Sequence, residues 1–240
     1  MDKVLVVCPV VDERISDTCL YSILKYPSSL GITESQILLV DNSEHGFAAK
    51  YGIRFIRSEV GHNLGVARAW NLGVQEVLDK KLDYLVLMSA SMYFGPILHC
   101  TFLTQMQTFW GSNVIEATGH GWHLIAFNRR VFETIGMFDE NFYPAYFEDV
   151  DFGRRIYLSQ MNGKWENVWI NAISQGNALH VRSEMVSAPA TPLLKYYEEK
   201  WGGGKENEKF MTPFNTGDMT YWPKNDIETL VKKYDLKKWW

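Results

Sequence analysis

Acidic residues cluster where one helix is predicted to begin, in the stretch GMFDENFYPAYFEDVDFGRR. Inside that helix Asp151 can pair with Arg155 four residues later, or with Arg154, so a salt bridge accounts for this carboxylate. Asp149 has Gly153 at the corresponding position and no such partner. The helix dipole keeps a carboxylate in the first turn ionised, as required of a general base that takes a proton from a hydroxyl group. Asp149 is therefore a candidate base, with capping of the helix as the alternative.

Apolar runs predict the elements that position this helix. KVLVVCPV, QILLVDNS and LDYLVLMSAS are rich in β-branched and aliphatic residues, which is typical of strands buried on both faces of a parallel sheet. Helical patterns separate them: SDTCLYSILKYP, which stops near Pro27, and NLGVARAWNLGVQEVLDK, which has an apolar stripe over 66–78 and Asn63 as a plausible N-cap. Alternating strands and helices predict a doubly wound α/β layer whose strand C-termini line a cleft.

The second half of the sequence has a less regular pattern. It predicts a helix near 97–109, strands at NVIEAT and WHLIAFN, a short helix at RRVFETIG, the acidic helix, and strands around WENVWINAIS and NALHV. The last fifty residues predict an irregular arm with short helices. We therefore divide the chain into a domain over 1–188 and a C-terminal arm over 189–240 that packs on or closes the active site.

Composition limits the class of protein. The chain has 240 residues, 46% of them apolar, which is enough for one domain with a core. Its 24 basic and 28 acidic side chains give a net charge of -4, which excludes a global basic field for nucleic acid or anionic lipid. Cys8, Cys19 and Cys100 follow no metal-ligand spacing and predict reduced thiols in a cytoplasmic protein. No stretch approaches the roughly 20 apolar residues of a membrane span, so none is expected.

Taken together, CPVVDE, LLVDNS, HNLGVARAWNLG and FETIGMFDENFYPAYFEDVDFGRR resemble the family 2 glycosyltransferases. The chain is also similar to rhamnosyltransferase-like members and to small bacteriophage-encoded glycosyltransferases, which share WHL, FYPAYFED and YYEEKWGG. The resemblance covers residues 3 to about 204. It implies a GT-A fold, a single Rossmann-like α/β domain with a mostly parallel sheet, and a hexosyltransferase-like enzyme. A sugar would pass from a UDP-, GDP- or dTDP-sugar, with inversion, to a glycan, a protein or a modified DNA base. A phage protein would act in the host cytoplasm.

The resemblance also assigns residues to the donor site. It implies that the first strand end and the VDNS acid hold the nucleoside, through Pro9, Val11, Asp12, Asp41 and Asn42. It maps an asparagine and glycine pattern onto the next helix, with Asn63, Asn71 and, as a base or phosphate contact, Arg68. Two alternatives stay open, because Asp41 could cap the following turn and Asn63 could cap the helix. In the family's acidic pair, Asp149 is the base, whereas Glu148 orients the acceptor or is an exposed first-turn acid.

One departure concerns the metal. Family members commonly place an Asp-x-Asp at the strand end where this chain has Ser89, Ala90 and Ser91. Neutral hydroxyls are poor ligands for a hard cation, so we expect no metal cofactor, unless other residues supply ligands for Mg²⁺ or Mn²⁺. The serines would instead bond to the donor sugar or ribose. Positive charge for the leaving phosphate would come from His180, Arg182 and Lys200 with the glycines after Trp201, and the alternative there is a solvated loop.

Trp122 and His123, in GHGWHLIAFNRR, are assigned to an acceptor wall. His120 and His123 without a third ligand are a weak metal signal, and a structural histidine is the alternative. A second class of function stays open at this point: a nucleotide-sugar-binding module of the same fold that has lost catalysis. Retention of FEDVD favours the enzyme, since a binding module needs no base.

Overall fold

The strand-forming runs assemble into a central sheet in the structure, a computed structural model that describes residues 3–25, 33–58, 63–95, 101–170, 172–174 and 183–234. The strands of the described residues are β1 (Val4–Val10), β2 (Ile37–Asp41), β3 (Phe55–Arg57), β4 (Tyr84–Met88), β5 (Met92–Phe94), β6 (Val114–Ala117), β7 (Leu124–Asn128), β8 (Trp165–Val168) and β9 (Ala172–Ser174). Seven of them form one sheet in the order β3-β2-β1-β4-β7-β6-β8, and β5 pairs with β9.

The sheet is mostly parallel, as predicted. Only β7 runs antiparallel to its neighbours in the large sheet, β4 and β6. Because β1, β2 and β4 point the same way, their C-terminal ends at Val10, Asp41 and Met88 lie at one edge. Ligands of open α/β sheets bind at such an edge. The antiparallel pairing of β4 with β7 places the start of β7 beside the end of β4, since Met88 pairs with Leu124.

Helices cover both faces of the sheet. Those described are α1 (Glu13–Lys25), α2 (Val66–Asp79), α3 (Phe102–Thr108), α4 (Arg129–Ile135), α5 (Glu148–Leu158), α6 (Ser183–Trp201) and α7 (Ile227–Lys233). These positions agree with the helical patterns of the sequence as far as Leu158. The predicted NALHV strand and the first residues of the predicted 97–109 helix lie outside the described residues. None of the helices in the described ranges is long and apolar enough to cross a bilayer.

Glycines fix the position of α2. The helix begins after Gly65, which has a φ of 79°, so the predicted N-cap at Asn63 is wrong by two residues. Instead, the Asn63 side-chain oxygen accepts a hydrogen bond from the Gly65 N–H at 2.7 Å. Farther along, a Cβ on Gly73 would lie 3.0 Å from Val7 Cβ. Gly73 therefore lowers helix propensity but lets α2 pack closely on β1.

The C-terminal region is more regular than predicted. Helix α6 has 19 residues, whereas the sequence pattern predicted only short helices there. Leu193, Tyr197 and Trp201 recur on one face of α6 and are buried in the same core cluster as the sheet residues. The boundary drawn between residues 188 and 189 lies inside this helix.

Candidate active site

A cavity of about 450 Å³ opens at the C-terminal ends of β1, β2 and β4. Many of the residues assigned to the donor site line it, together with residues that the sequence did not single out. Its lining residues include Pro9, Val11, Asp12, Glu13, Asn42, Glu44, His45, Asn63, Trp70, Ser89, Ala90, Ser91, Trp122, Pro144, Ala145 and Tyr146.

Asp41 organises the loop that follows β2. Its Oδ1 accepts hydrogen bonds from the Ser43 N–H at 3.0 Å and the Ser43 hydroxyl at 2.5 Å. Its Oδ2 accepts from the N–H groups of Phe47 and Ala48 at 2.8 and 2.9 Å. Burial alone raises the pKa of Asp41, but the bonds from Ser43 and from the backbone outweigh it and lower the pKa. With both oxygens occupied, Asp41 caps the turn in this structure, and its direct contact with a nucleoside stays a prediction.

Arg57 holds the same loop from its other side. Its guanidinium donates hydrogen bonds to the carbonyl oxygens of Glu44 at 2.7 Å and His45 at 3.2 Å. The loop therefore presents Glu44 and His45 to the cavity in a fixed conformation. Sequence reasoning missed this loop, and the signal that could have revealed it was Gly46, whose φ of 76° requires a glycine.

Two asparagines join β2 to the start of α2. The Asn42 side chain accepts a hydrogen bond from the Leu64 N–H at 3.1 Å and donates one to the Gly65 carbonyl at 3.4 Å. Asn42 and Asn63 also line the cavity, as do Pro9, Val11 and Asp12. Asp12 has a structural bond as well, since its Oδ1 accepts from the Ile15 N–H in the first turn of α1 at 3.0 Å.

Ser89 and Ser91 form a hydrogen-bonded row with His123. The two hydroxyl oxygens are 2.8 Å apart, and Ser91 Oγ is 3.4 Å from His123 Nδ1. The Ser89 N–H donates to the His123 carbonyl at 2.8 Å, which continues the β4–β7 pairing. The structure thus brings the two serines assigned to the donor together with the histidine assigned to the acceptor.

Aromatic rings form one wall of the cavity. Trp122 stacks on Trp70 with ring centroids 6.1 Å apart, and both line the cavity. The other side of Trp122 faces α5, where a Cβ on Gly153 would lie 3.8 Å from its ring. Trp122 therefore joins the cavity to the helix that begins with the acidic pair. Tryptophan faces of this kind suit packing against sugar rings.

The acidic pair occupies the first turn of α5. Glu148 is only 6% exposed, so its alternative as an exposed acid is wrong, and its Oε2 has no hydrogen-bond partner within the described part of the chain. Burial, and then the charge of Asp149, raise the pKa of Glu148 well above its usual value. Burial also raises the pKa of Asp149. Neither side chain lines the cavity, but the cavity-lining segment 144–146 leads directly into the turn.

Three residues assigned to the donor lie elsewhere. Arg68 Nε is 3.8 Å from Glu140 Oε2. The Asn71 amide donates to the Phe138 carbonyl and to Glu140 Oε1, both at 2.9 Å, and its oxygen accepts from the Phe138 N–H. Neither Arg68 nor Asn71 lines the cavity. In this structure they connect α2 to the loop before α5, and their contact with the donor stays a prediction. The third residue is Lys200.

Lys200 is buried beneath α5. Its side chain is 0% exposed, and Nζ lies 2.8 Å from Asp139 Oδ2 and 2.7 Å from Asp151 Oδ1. Its assignment to the leaving phosphate is wrong in this structure, because two carboxylates already neutralise it away from the cavity. His180, assigned to the same task, and Arg182 lie outside the described residues.

Asp151 confirms the expectation of a salt bridge. Its Oδ2 lies 2.9 Å from Arg155 Nη2, and its Oδ1 accepts a hydrogen bond from Trp201 Nε1 at 2.9 Å. Burial alone raises the pKa of Asp151, but Lys200 and Arg155 outweigh it and lower the pKa.

A divalent cation does not fit the residues at the end of β4. Ser89 and Ser91 bring no negative charge to offset the dehydration of a hard cation. Within the ranges described, no three His, Cys, Asp or Glu side chains lie close enough together to hold one ion. The hydroxyl groups of Ser89 and Ser91 are suited to hydrogen bonding.

Comparison with known proteins finds solved structures with a similar fold. No family model and no curated protein matches the chain. Among solved structures, glucosyl-3-phosphoglycerate synthase from Mycobacterium tuberculosis, in complex with Mn²⁺, UDP and glucosyl-3-phosphoglycerate, is 12% identical with a TM-score of 0.51, over 80% of this chain and 79% of that one. TarS 1–349 of S. aureus is 13% identical with a TM-score of 0.50, over 69% of this chain and 58% of that one. The chain thus spans little more than half of TarS 1–349.

These identities are low, and the likeness concerns the fold. This chain has a mostly parallel sheet with one antiparallel strand and a cavity at the ends of β1, β2 and β4. The chain is a single α/β domain of GT-A type, the fold of the nucleotide-sugar glycosyltransferases that it resembles in structure.

Proposed function

We propose that the chain is an inverting glycosyltransferase that moves a sugar from a nucleotide-diphospho-sugar to an acceptor hydroxyl. One observation carries this proposal: the buried carboxyl group of Glu148 and the half-buried one of Asp149 begin α5 at the end of a segment that lines the cavity. A buried carboxylate without a cationic partner is costly for stability. Its presence beside a cavity at the ligand-binding edge of the sheet therefore favours a chemical role.

In the proposed reaction Asp149 is the general base. It takes the proton of the acceptor hydroxyl while the acceptor oxygen forms a bond to the anomeric carbon and the bond to the nucleotide breaks, with inversion. Burial raises the pKa of Asp149, which makes the carboxylate a stronger base while it stays within reach of ionisation. Burial, and then the charge of Asp149, raise the pKa of Glu148 well above its usual value, which favours its protonated form; in that form it would orient the acceptor as a hydrogen-bond donor.

The donor would lie across the strand ends. We assign the nucleoside to Pro9, Val11, Asp12, Asn42 and Asn63, the sugar or ribose to the end of β4, and the acceptor to the side of Trp122 and His123. A UDP-, GDP- or dTDP-sugar fits this scheme, and the acceptor is a glycan, a protein or a modified DNA base. The buried free thiols of Cys8 and Cys19 support a reducing, cytoplasmic location.

We further propose that transfer does not depend on the usual Asp-x-Asp metal, because neutral serines stand at its position. The mycobacterial synthase, which has a similar fold, binds Mn²⁺, so this fold is compatible with a divalent cation. A cation in this protein would need ligands from residues other than 89–91.

A second candidate is a nucleotide-sugar-binding module without transferase activity. The described residues that line the cavity include no Lys or Arg, so they offer a leaving diphosphate no permanently cationic side chain, and this observation favours the binding module. This candidate and the enzyme share the cavity and differ only in turnover.

Thermal-shift screening with UDP-, GDP- and dTDP-sugars tests the binding that both candidates require. A sugar nucleotide at one hundred times its Kd should stabilise the protein by about 2.7 kcal/mol. A donor-hydrolysis assay with the nucleotide that binds then separates them, because the enzyme releases sugar and the Asp149→Asn variant does not. If no nucleotide sugar shifts the melting temperature, both candidates fail. Binding without hydrolysis or transfer supports the binding module.

A further inference from the structure

The row formed by the side chains of Ser89, Ser91 and His123 has a limited number of hydrogens for hydrogen bonding. Two contacts connect the side chains, Ser89 Oγ to Ser91 Oγ at 2.8 Å and Ser91 Oγ to His123 Nδ1 at 3.4 Å, and each needs one hydrogen from a hydroxyl or the ring. Ser89 Oγ also accepts a hydrogen bond from the Ser91 N–H at 3.2 Å. If Nδ1 carries no proton, the two hydroxyl hydrogens are both consumed inside the row. Ser89 and Ser91 then offer only oxygen lone pairs to the cavity, which repel an anion.

A proton on His123 Nδ1 reverses the direction of the hydrogen bonds along the row. The imidazole N–H donates to Ser91 Oγ, the Ser91 hydroxyl donates to Ser89 Oγ, and the Ser89 hydroxyl hydrogen becomes free for a ligand. A neutral ring protonated on Nδ1 supplies this hydrogen, but only the imidazolium also supplies positive charge. A diphosphate needs both a donor and charge.

The cavity provides little positive charge of its own. Its carboxylates are Asp12, Glu13 and Glu44, and the described lining includes no Lys or Arg. His45 is the titratable base in that described lining, and His123 touches the lining through Ser91. An anionic donor in this cavity therefore binds more tightly when a histidine beside it is protonated.

We propose that binding of the donor diphosphate is coupled to uptake of one proton by His123, which turns the row so that the Ser89 hydroxyl donates to a phosphate oxygen. This inference rests on the proposed function, because it takes the diphosphate of a nucleotide sugar as the anion. His123 acts through the serines and is a positioning residue, not a catalytic one.

The surroundings of His123 favour a change of protonation on binding. Burial, and then the proximity of His120, lower the pKa of His123 in the protein without donor. The other titratable group near this turn is Glu116 on β6, whose Oε1 would lie 4.0 Å from a Cβ on Gly121. Met88 and Leu124, where β4 and β7 meet the turn, have no charge. The neutral ring is thus the ground state, and an adjacent diphosphate shifts it towards the cation.

Calorimetry can count this proton. UDP-glucose is the first probe, with GDP-mannose and a dTDP-sugar as replacements, because their diphosphate diesters do not titrate near neutral pH, unlike a terminal phosphate with a pKa of about 6. Binding enthalpies at one pH in buffers of different ionisation enthalpy give the number of protons taken up. We expect close to one near neutral pH, with affinity falling about tenfold per pH unit between the pKa of His123 in the free protein and its higher pKa in the complex, and levelling off above the latter.

Three variants locate the proton. His123→Gln should bind without proton uptake and with an affinity that does not vary with pH, and Ser91→Ala should reduce the uptake because the row is interrupted. His45→Gln should keep the uptake of the unmodified protein. Binding without uptake in the unmodified protein, uptake that persists in His123→Gln or Ser91→Ala, or its loss in His45→Gln would each contradict the proposal. If none of the probes binds, the proposed function itself fails, which is a different result.

Discussion

Two carboxylates three residues apart on the same face of α5 have opposite environments. Asp151 belongs to a buried charge cluster, which we define as Asp139, Asp151, Arg155 and Lys200, and each of its oxygens has a partner. Glu148, one turn earlier, is also buried but has an oxygen without a partner in the described part of the chain. The pKa of Asp151 is lowered and that of Glu148 is raised. Pairing, and not burial, separates a structural carboxylate from one available for chemistry.

The first prediction tests the available side of this comparison. Replacing Asp149 by Asn removes the proposed base with little change in shape, so transfer or donor hydrolysis should fall about 10²- to 10⁴-fold. Donor affinity and the unfolding transition should stay near those of the unmodified protein. Asp79→Asn, at an exposed position on α2, is the control. Turnover that survives in Asp149→Asn would move the base to another residue, with Glu148 the next to test.

The second prediction concerns the buried charge cluster, from which one positive charge is removed. Lys200→Met leaves Asp139 and Asp151 buried with less positive charge, which should lower the free energy of unfolding by about 3–5 kcal/mol. Urea denaturation measures it. Lys195→Met changes an exposed lysine of the same helix and should cost no more than about 0.5 kcal/mol. If Lys200→Met unfolds normally but binds the donor poorly, the lysine contacts phosphate and our structural assignment is wrong.

The sequence predicted the strands and helices better than it predicted which side chains contact one another. Continuous apolar runs and the α2 stripe are local patterns, and they predicted the parallel strands and most helices up to Leu158. The partners of Lys200 are not local, since Asp139 lies 61 residues earlier in the chain. A lysine near glycines looks the same in sequence whether it faces solvent or two carboxylates, so only the tertiary contact reveals its role.

The donor site shows the same limit. The family resemblance assigned Pro9, Val11, Asp12 and the serines after β4 to one site, and they line one cavity because strand ends of a parallel sheet meet at one edge. The loop after β2 was not, because its form depends on Asp41 within it and on Arg57 outside it. The contact between Ser91 and His123 arises from the antiparallel pairing of β4 and β7, which a strand pattern alone does not specify.

The third prediction concerns Asp41, a paired carboxylate beside the cavity. Asp41→Ala leaves the Phe47 and Ala48 N–H groups without acceptors, so stability should fall by about 1–3 kcal/mol. Because the folded pKa of Asp41 is lowered, its contribution is present above the unfolded value of about 3.9 and is lost as the pH falls through the folded pKa. The difference from the unmodified protein in urea should therefore shrink in acid. Weaker nucleotide binding at unchanged stability would restore the direct contact.

The fourth prediction uses Glu148 and has the opposite sign. Its folded pKa is raised, so below the unfolded value of about 4.3 both states hold the proton, and above it the unfolded state loses the proton first. Stability of the unmodified protein then falls as the pH rises towards the folded pKa. Glu148→Gln does not titrate and should be the more stable protein at pH 7, with little difference near pH 4. Thermal melts at both values measure this, and Glu199→Gln, an exposed position on α6, should show no such trend.

The smallest effect is expected from removal of metal. Excess EDTA should leave the initial rate of transfer or donor hydrolysis nearly unchanged, and added Mg²⁺ or Mn²⁺ should change it little. The reason is the chemistry of the strand end: Ser89 and Ser91 contribute no charge to offset cation dehydration, and a hard cation takes several oxygen ligands. A double variant, Ser89→Asp with Ser91→Asp, is the matched test, since two carboxylates there should introduce a response to Mn²⁺. Complete inhibition of the unmodified protein by EDTA, reversed by added cation, would show that the cavity recruits its ligands from other residues.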